Sequence, residues 1–96
     1  MKLFWVYMIA SSPGGVLYIG VTSDLIRRGF EHRQGIVKGF TRRYHVTRLV
    51  WFEEYGDAEN AILREKRLKE WKRSMKIDLI EKWNPLWHDL YPDLVK

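Results

Sequence analysis

Leu3-Phe4-Trp5-Val6-Tyr7-Met8-Ile9, then Ser11-Ser12-Pro13-Gly14-Gly15, then Val16-Leu17-Tyr18-Ile19-Gly20-Val21 is the stretch whose reading decides the fold. The first run is apolar almost without interruption and holds three aromatic residues, the pattern of a strand covered on both faces. Serine, proline and two glycines supply turn chemistry, so Val16–Val21 reads as the returning, antiparallel strand of a β-hairpin. If residues whose numbers sum to 25 pair across it, the loop is Ser11 to Gly14, and Tyr7 and Tyr18 stand opposite each other on one face.

Downstream, Thr22-Ser23-Asp24 offers candidate N-caps for a helix over Leu25–Arg33, in which Leu25, Ile26 and Phe30 can share a buried stripe. Gly35 and Gly39 end or loosen it, and Arg48–Glu53 has the composition of a third strand. Asp57 caps a long helix from Ala58 to about Lys72; Ser74 can cap another through Trp83, which Pro85 stops. The expected architecture is an α+β (mixed α/β) domain, a three-stranded antiparallel sheet flanked by helices. No linker or repeat divides the chain, so residues 1–96 are expected to form one domain.

The chain has no cysteine, which removes disulfides and Cys-based zinc sites as sources of stability. A reducing, cytoplasmic setting is compatible. The apolar N-terminal run is interrupted by Gly14 and Gly15 and falls short of the roughly 20 residues of a membrane span, so no membrane partner is expected.

Net charge is +5, and 14 of the 17 Lys and Arg residues fall in two windows, Arg27 to Arg48 and Arg64 to Lys76. Within them Arg27, Arg33, Lys38, Arg42, Arg43, Lys69 and Lys72 are the candidate nucleic-acid contacts. Charge alone leaves two readings open, a polyanion-facing side or ordinary solvated helix faces. Thr41, Arg42, Arg43 and Tyr44 likewise form either a segment that tracks a nucleic-acid backbone or a surface loop with Tyr44 folded onto the core.

Three smaller constellations bear on chemistry. Tyr7 and Tyr18 are either core filler with hydroxyls at the rim or a pair of polar handles in a site. Arg28 and His32, four residues apart, stack on one helical face beside Leu25, where they can address a phosphate or lie at the core's edge. Glu65 projects from the middle of the side shared by Ala58, Ala61, Ile62 and Leu68, so it needs a cation: a metal ion, or a salt bridge to Lys69 or Arg64. Trp71, Trp83 and Trp87 are read as core and tail packing.

Trp5-Val6-Tyr7, Tyr18-Ile19-Gly20, Arg28 ten residues beyond Tyr18, and His32 resemble the signature of the GIY-YIG endonuclease superfamily, with Trp5 at its first glycine. Glu65 resembles the family's metal-binding glutamate, and Asn84 the asparagine near the end of its core. The resemblance runs from Leu3 to Asn84 and follows the small stand-alone members, similar to the N-terminal domain of the bacterial excinuclease. It implies phosphodiester hydrolysis with one Mg²⁺ or Mn²⁺ ion on Glu65. It also implies Arg28 stabilising the developing charge, Tyr7 orienting or deprotonating water, Tyr18 and His32 assisting, and Asn84 bracing the site. A tyrosine, with an ordinary pKa of about 10, can serve as base only where cations lower it.

The expected function is therefore metal-dependent cleavage of nucleic acid, DNA before RNA, in repair or recombination. The alternative is a nucleic-acid-binding module of the same fold with little turnover. A third reading makes Trp87, Leu90 and Tyr91 an apolar docking patch for protein.

Overall fold

The computed structural model describes residues 2–36 and 39–96. Its elements in chain order are β1 (Phe4–Ala10), β2 (Leu17–Thr22), α1 (Leu25–Arg33), α2 (Phe40–Arg43), β3 (Arg48–Tyr55), α3 (Ala58–Glu70), α4 (Arg73–Trp83) and α5 (Tyr91–Leu94). All three strands are antiparallel in the order β2-β1-β3, the expected α+β architecture.

The central strand is β1, and its unbroken apolar run follows from burial on both faces. Val6, Met8 and Ala10 join Ile19, Trp51, Ala61, Leu68, Ile80 and Trp87 beneath α3 and α4. Tyr7 and Ile9 face the other way, onto Leu25, Val46 and Leu49, with Tyr18, Leu90 and Tyr91 packed around them. Leu68 is fully buried, so truncating it to alanine is expected to cost about 2–5 kcal/mol through lost contacts and the cavity left behind.

The hairpin register differs from the expected one. Tyr7 pairs with Gly20 and Ile9 with Tyr18, so paired numbers sum to 27. The four-residue loop runs from Ser12 to Gly15 instead, closed by Ser11 N–H to the Val16 carbonyl (3.0 Å) and Val16 N–H to Ser11 Oγ (2.9 Å). Gly14 takes the left-handed conformation this turn needs, φ 69°. A shift of two residues preserves the face, so both phenols still share one side of the sheet.

Asp24 caps α1, its carboxylate accepting from Arg27 N–H (3.1 Å), and Asp57 caps α3 in the same manner through Asn60 N–H (2.8 Å). The buried stripe of α1 is not Leu25, Ile26 and Phe30. It is Leu25, Gly29 and His32, while Ile26 and Phe30 are 47% and 49% exposed. Gly29 sets this rotation: a Cβ there would come within 2.7 Å of the Tyr91 ring, so only glycine lets α5 pack so close. The third helix stops at Glu70, short of Lys72, and Lys72 rather than Ser74 is the N-cap of α4, without a side-chain bond.

Two further expectations are corrected at the C-terminal end. Trp83, at the last position of α4, is 74% exposed, whereas Trp87 is buried and its indole N–H donates to Glu81 (2.8 Å). Trp87 is thus core and cannot lead a docking patch, and Leu90 and Tyr91 are packed into the second cluster. No helix among the described residues is long and apolar enough to cross a membrane.

Candidate active site

Three rings form a triangle on the phenol-bearing face of the sheet. Centroids lie 6.4 Å apart for Tyr7 and Tyr18, 5.7 Å for Tyr7 and His32, and 5.6 Å for Tyr18 and His32. The hairpin supplies the tyrosines on neighbouring strands, and α1 brings His32 over them because its buried stripe ends on that residue.

His32 is buried and held at both ring nitrogens: Nε2 is 3.1 Å from the Tyr7 hydroxyl and Nδ1 3.1 Å from Thr41 Oγ1. Burial and then the Arg28 guanidinium lower its pKa to about 4, against a weaker opposing effect of Glu31. It is therefore neutral at pH 7, with one nitrogen a donor and the other an acceptor. Thr41, placed by α2, was expected only in a surface segment. No spacing or composition distinguishes a buried threonine at the start of a basic segment, so the sequence carried no signal for it.

Tyr7 is pushed well above the usual tyrosine range. Burial is the main cause, followed by Tyr18; Arg28 opposes, and Glu65 and Glu31 add to the rise. Arg28 alone does not provide the lowering that a tyrosinate base requires. These smaller influences come from two helices, Arg28 and Glu31 on α1 and Glu65 on α3.

That convergence matters because α3 packs on the far face of the sheet, through Ala61 and Leu68. The two sides meet around the outer edge of β2, where a shallow cleft of about 310 Å³ is lined by Leu17, Tyr18, Ile19, Lys69 and Lys76. Glu65 has a side chain only 15% exposed and pairs with Lys69 at 3.4 Å, not with Arg64, which turns to Glu53 (3.0 Å). Arg28 is half-exposed, loosely paired with Glu31 at 3.6 Å, and lines a polar depression with Thr22, Ser23, Asp24 and Arg27.

Asn84 is not brought to this cluster. It is buried beside β3, the opposite edge of the sheet, donating from Nδ2 to the Val50 and His88 carbonyls (3.1 and 2.9 Å) and accepting at Oδ1 from His88 N–H (3.0 Å). Its bonds fix the C-terminal segment to the sheet. Among the expected nucleic-acid contacts, Arg27, Arg42, Arg43, Lys69 and Lys72 are exposed. Arg33 is exposed as well, but it pairs with Asp89 and lies over the Tyr91 ring at 4.9 Å, tying α1 to the C-terminal segment. Lys38 lies outside the described residues. Tyr44 is exposed with Arg43 over its ring at 5.5 Å, so it does not fold onto the core.

Sequence comparison places the whole hairpin, α1 and α3 within one family. The model of the GIY-YIG catalytic domain matches residues 3–78. The chain belongs to the GIY-YIG family. A GIY-YIG domain is a nuclease-type fold. This GIY-YIG chain is similar to a UPF0213 protein of Haloquadratum walsbyi, 35% identical over 77 residues that cover 80% of this chain and 85% of that protein. A UPF0213 protein of Aeromonas salmonicida is 28% identical over 89 residues; these cover 86% of this chain and 65% of the relative, so the chain spans less than two thirds of it. The solution NMR structure of a UPF0213 protein from Bacillus halodurans superposes with a TM-score of 0.56 at 26% identity, covering 91% of this chain and 92% of that one.

Proposed function

We propose that this GIY-YIG domain is a metal-dependent endonuclease, acting as one unit over residues 1–96 on nucleic-acid phosphodiester bonds, DNA in the first place, in repair or recombination intermediates. The observation that carries the reading is the ring triangle of Tyr7, Tyr18 and His32 on one face of the sheet, with the Tyr7 hydroxyl 3.1 Å from Nε2 of His32 and Arg28 one turn before His32 on α1.

The donor chemistry fits Mg²⁺ or Mn²⁺. Such ions take hard oxygen ligands and commonly use one or two carboxylates, completing their shell with water and phosphate oxygens. Glu65 offers one shielded carboxylate whose partner, Lys69, is an exposed side chain that can turn away. Among the described residues no three His, Asp or Glu side chains gather to hold an ion by themselves. A single carboxylate suits an ion that takes its other ligands from water and substrate phosphate. When bound, the ion supplies Lewis-acid neutralisation of charge growing on the phosphate oxygens.

The remaining chemistry belongs to the side chains. Arg28 presents a planar fork of donors to the phosphate and stabilises its charge from the α1 side. Tyr7 stays protonated near neutral pH, so it orients the attacking water through its oxygen while its own hydroxyl is directed at His32. In this arrangement the water oxygen bonds to phosphorus as its proton passes to the Tyr7 oxygen and the phenol proton to Nε2, while the P–O bond to the leaving oxygen breaks and that oxygen takes a proton from solvent. No buried tyrosinate need form. The arriving phosphate pairs with Arg28 and offsets one of the effects that lowers the His32 pKa. Tyr18 completes the ring triangle beside phosphate or water, and Asn84 braces the fold from β3.

The test is incubation of the pure protein with branched, nicked and single-stranded DNA plus Mg²⁺ or Mn²⁺, beside Glu65→Ala and Arg28→Ala. Cleavage by wild type and its loss in both variants is expected. Intact substrates throughout, or variants that cut as fast as wild type, overturn the reading; salt-sensitive binding without cleavage favours the binding module instead.

A further inference from the structure

Thr41 and the ring of His32 form the inner end of a hydrogen-bonded chain that reaches Tyr7. Thr41 Oγ1 is 3.1 Å from Nδ1 of His32, whose Nε2 is 3.1 Å from the Tyr7 hydroxyl, and both contacts are buried. The support behind Thr41 is firm. Its carbonyl accepts from Val46 N–H (2.9 Å), and Val46 is fully buried in the same core cluster as Tyr7. The short α2 therefore anchors a hydroxyl against the back of the histidine.

A neutral imidazole has one N–H and one bare nitrogen, and whichever partner is the better donor takes the bare one. A phenol, with its ordinary pKa of about 10, is a stronger donor than an aliphatic hydroxyl, whose oxygen is in turn the better acceptor. The chain then runs in one direction: Tyr7 O–H to Nε2, and Nδ1–H to Thr41 Oγ1.

We propose that Thr41 is a positioning residue for the reaction at Tyr7: its hydroxyl oxygen accepts the Nδ1 proton of His32 and so holds the bare Nε2 against the Tyr7 hydroxyl. This rests on the nuclease reading for its consequence in rate, but not for the arrangement itself. Without the Thr41 oxygen the ring is free to turn or to place its proton on Nε2, where it faces the phenol as a donor and has no lone pair to receive a proton. Thr41 touches neither substrate nor reacting atoms and acts wholly through His32.

The experiment compares wild type with Thr41→Val, nearly equal in volume but without the hydroxyl, and Thr41→Ser, which keeps it. Nitrogen-15 correlation spectra of the imidazoles distinguish a protonated from a bare ring nitrogen; among the three histidines, His32 is identified by the signals that vanish in His32→Gln. Expected are an Nδ1–H tautomer for His32 in wild type and in Thr41→Ser, its loss or mixing in Thr41→Val, and cleavage lowered roughly 10- to 100-fold in the valine variant, the usual loss when a group that orients a contacting side chain is removed. Serine is expected to restore most of the rate. An Nε2–H tautomer in wild type overturns the proposal, as does a valine variant with unchanged tautomer or unchanged rate. Should Thr41→Val fail to fold, a serine variant whose tautomer departs from wild type overturns it as well. If no substrate is cut, the nuclease reading fails on its own and the spectra still decide the arrangement.

Discussion

The ring of Tyr7 lies directly over Gly20, its partner across the hairpin: a Cβ on Gly20 would sit 2.4 Å from the Tyr7 hydroxyl oxygen and 2.5 Å from the carbon that bears it. The glycine is required for space, and the space it leaves is what lets the phenol cross the strand towards the outer edge of β2.

Gly20→Ala should therefore displace Tyr7 or push the strands apart. The expected cost is about 1–3 kcal/mol, the range for overpacking a well-filled site, seen as a lower midpoint in urea denaturation. Cleavage should fall more steeply than stability, because the Tyr7–His32 bond is the contact the added methyl strains. A variant with wild-type stability and rate would show that the ring moves aside at no cost.

Glu65→Gln separates fold from chemistry. The Glu65–Lys69 pair sits at one turn's spacing with Lys69 half-exposed, and such pairs contribute only about 0.3–0.5 kcal/mol, so thermal stability should barely change. The ion's hold should be lost, with cleavage down by about 100-fold or more, since metal stabilisation of a developing charge is worth several kcal/mol. Chelator added to wild type should likewise abolish cleavage while leaving the circular dichroism unaltered.

Acid stability should depend on His32. Its folded pKa, about 4, lies below the ordinary 6.5 of the unfolded chain, so between these values the unfolded state binds more protons and is favoured as pH falls. Stability is fully present above pH 6.5, is lost progressively towards pH 4, and changes no further below that. The loss is on the order of a few kcal/mol. Carboxylates also titrate near pH 4, so the check is a difference: His32→Gln should show a flatter profile of unfolding free energy from pH 6.5 to 4 than wild type. Parallel profiles would place the effect elsewhere.

How far these relationships were legible in the sequence depends on their range. The hairpin, three strands and two long helices were readable because apolar runs, turn residues and Asp caps act locally. So was the face shared by Tyr7 and Tyr18, since a two-residue slip in register leaves it unchanged. The register itself was not, because loops of four residues fit at either position and the choice rests on Ser11, Gly14 and the room over Gly20. Ile26 and Phe30 were misread because apolar character cannot show which face of α1 a distant ring, Tyr91, will claim. Glu65 stood out as a carboxylate on a buried side; that its helix packs on the face of the sheet opposite the phenols required the fold. Thr41 and the Arg33–Asp89 tie are pure tertiary contacts.

That tie leads to a contrast between arginines of equal formal charge. Arg33 is committed to Asp89 and Tyr91, and Asp89 in turn accepts from the backbone N–H of Leu49 and of Tyr91 (3.2 and 3.1 Å). Arg33→Ala should loosen α5 and the edge of β3, costing about 1–2 kcal/mol, while the salt dependence of nucleic-acid binding stays near wild type. Arg42 and Arg43 stand exposed on α2. Replacing either with alanine should leave stability within about 0.5 kcal/mol and reduce the slope of log affinity against log salt by about one, the signature of a lost phosphate contact. Fluorescence anisotropy over a range of salt concentrations, run beside urea denaturation on the same three variants, measures both quantities. If Arg33→Ala lowers the slope and Arg42→Ala does not, the polyanion lies along α1 and the C-terminal segment rather than across α2.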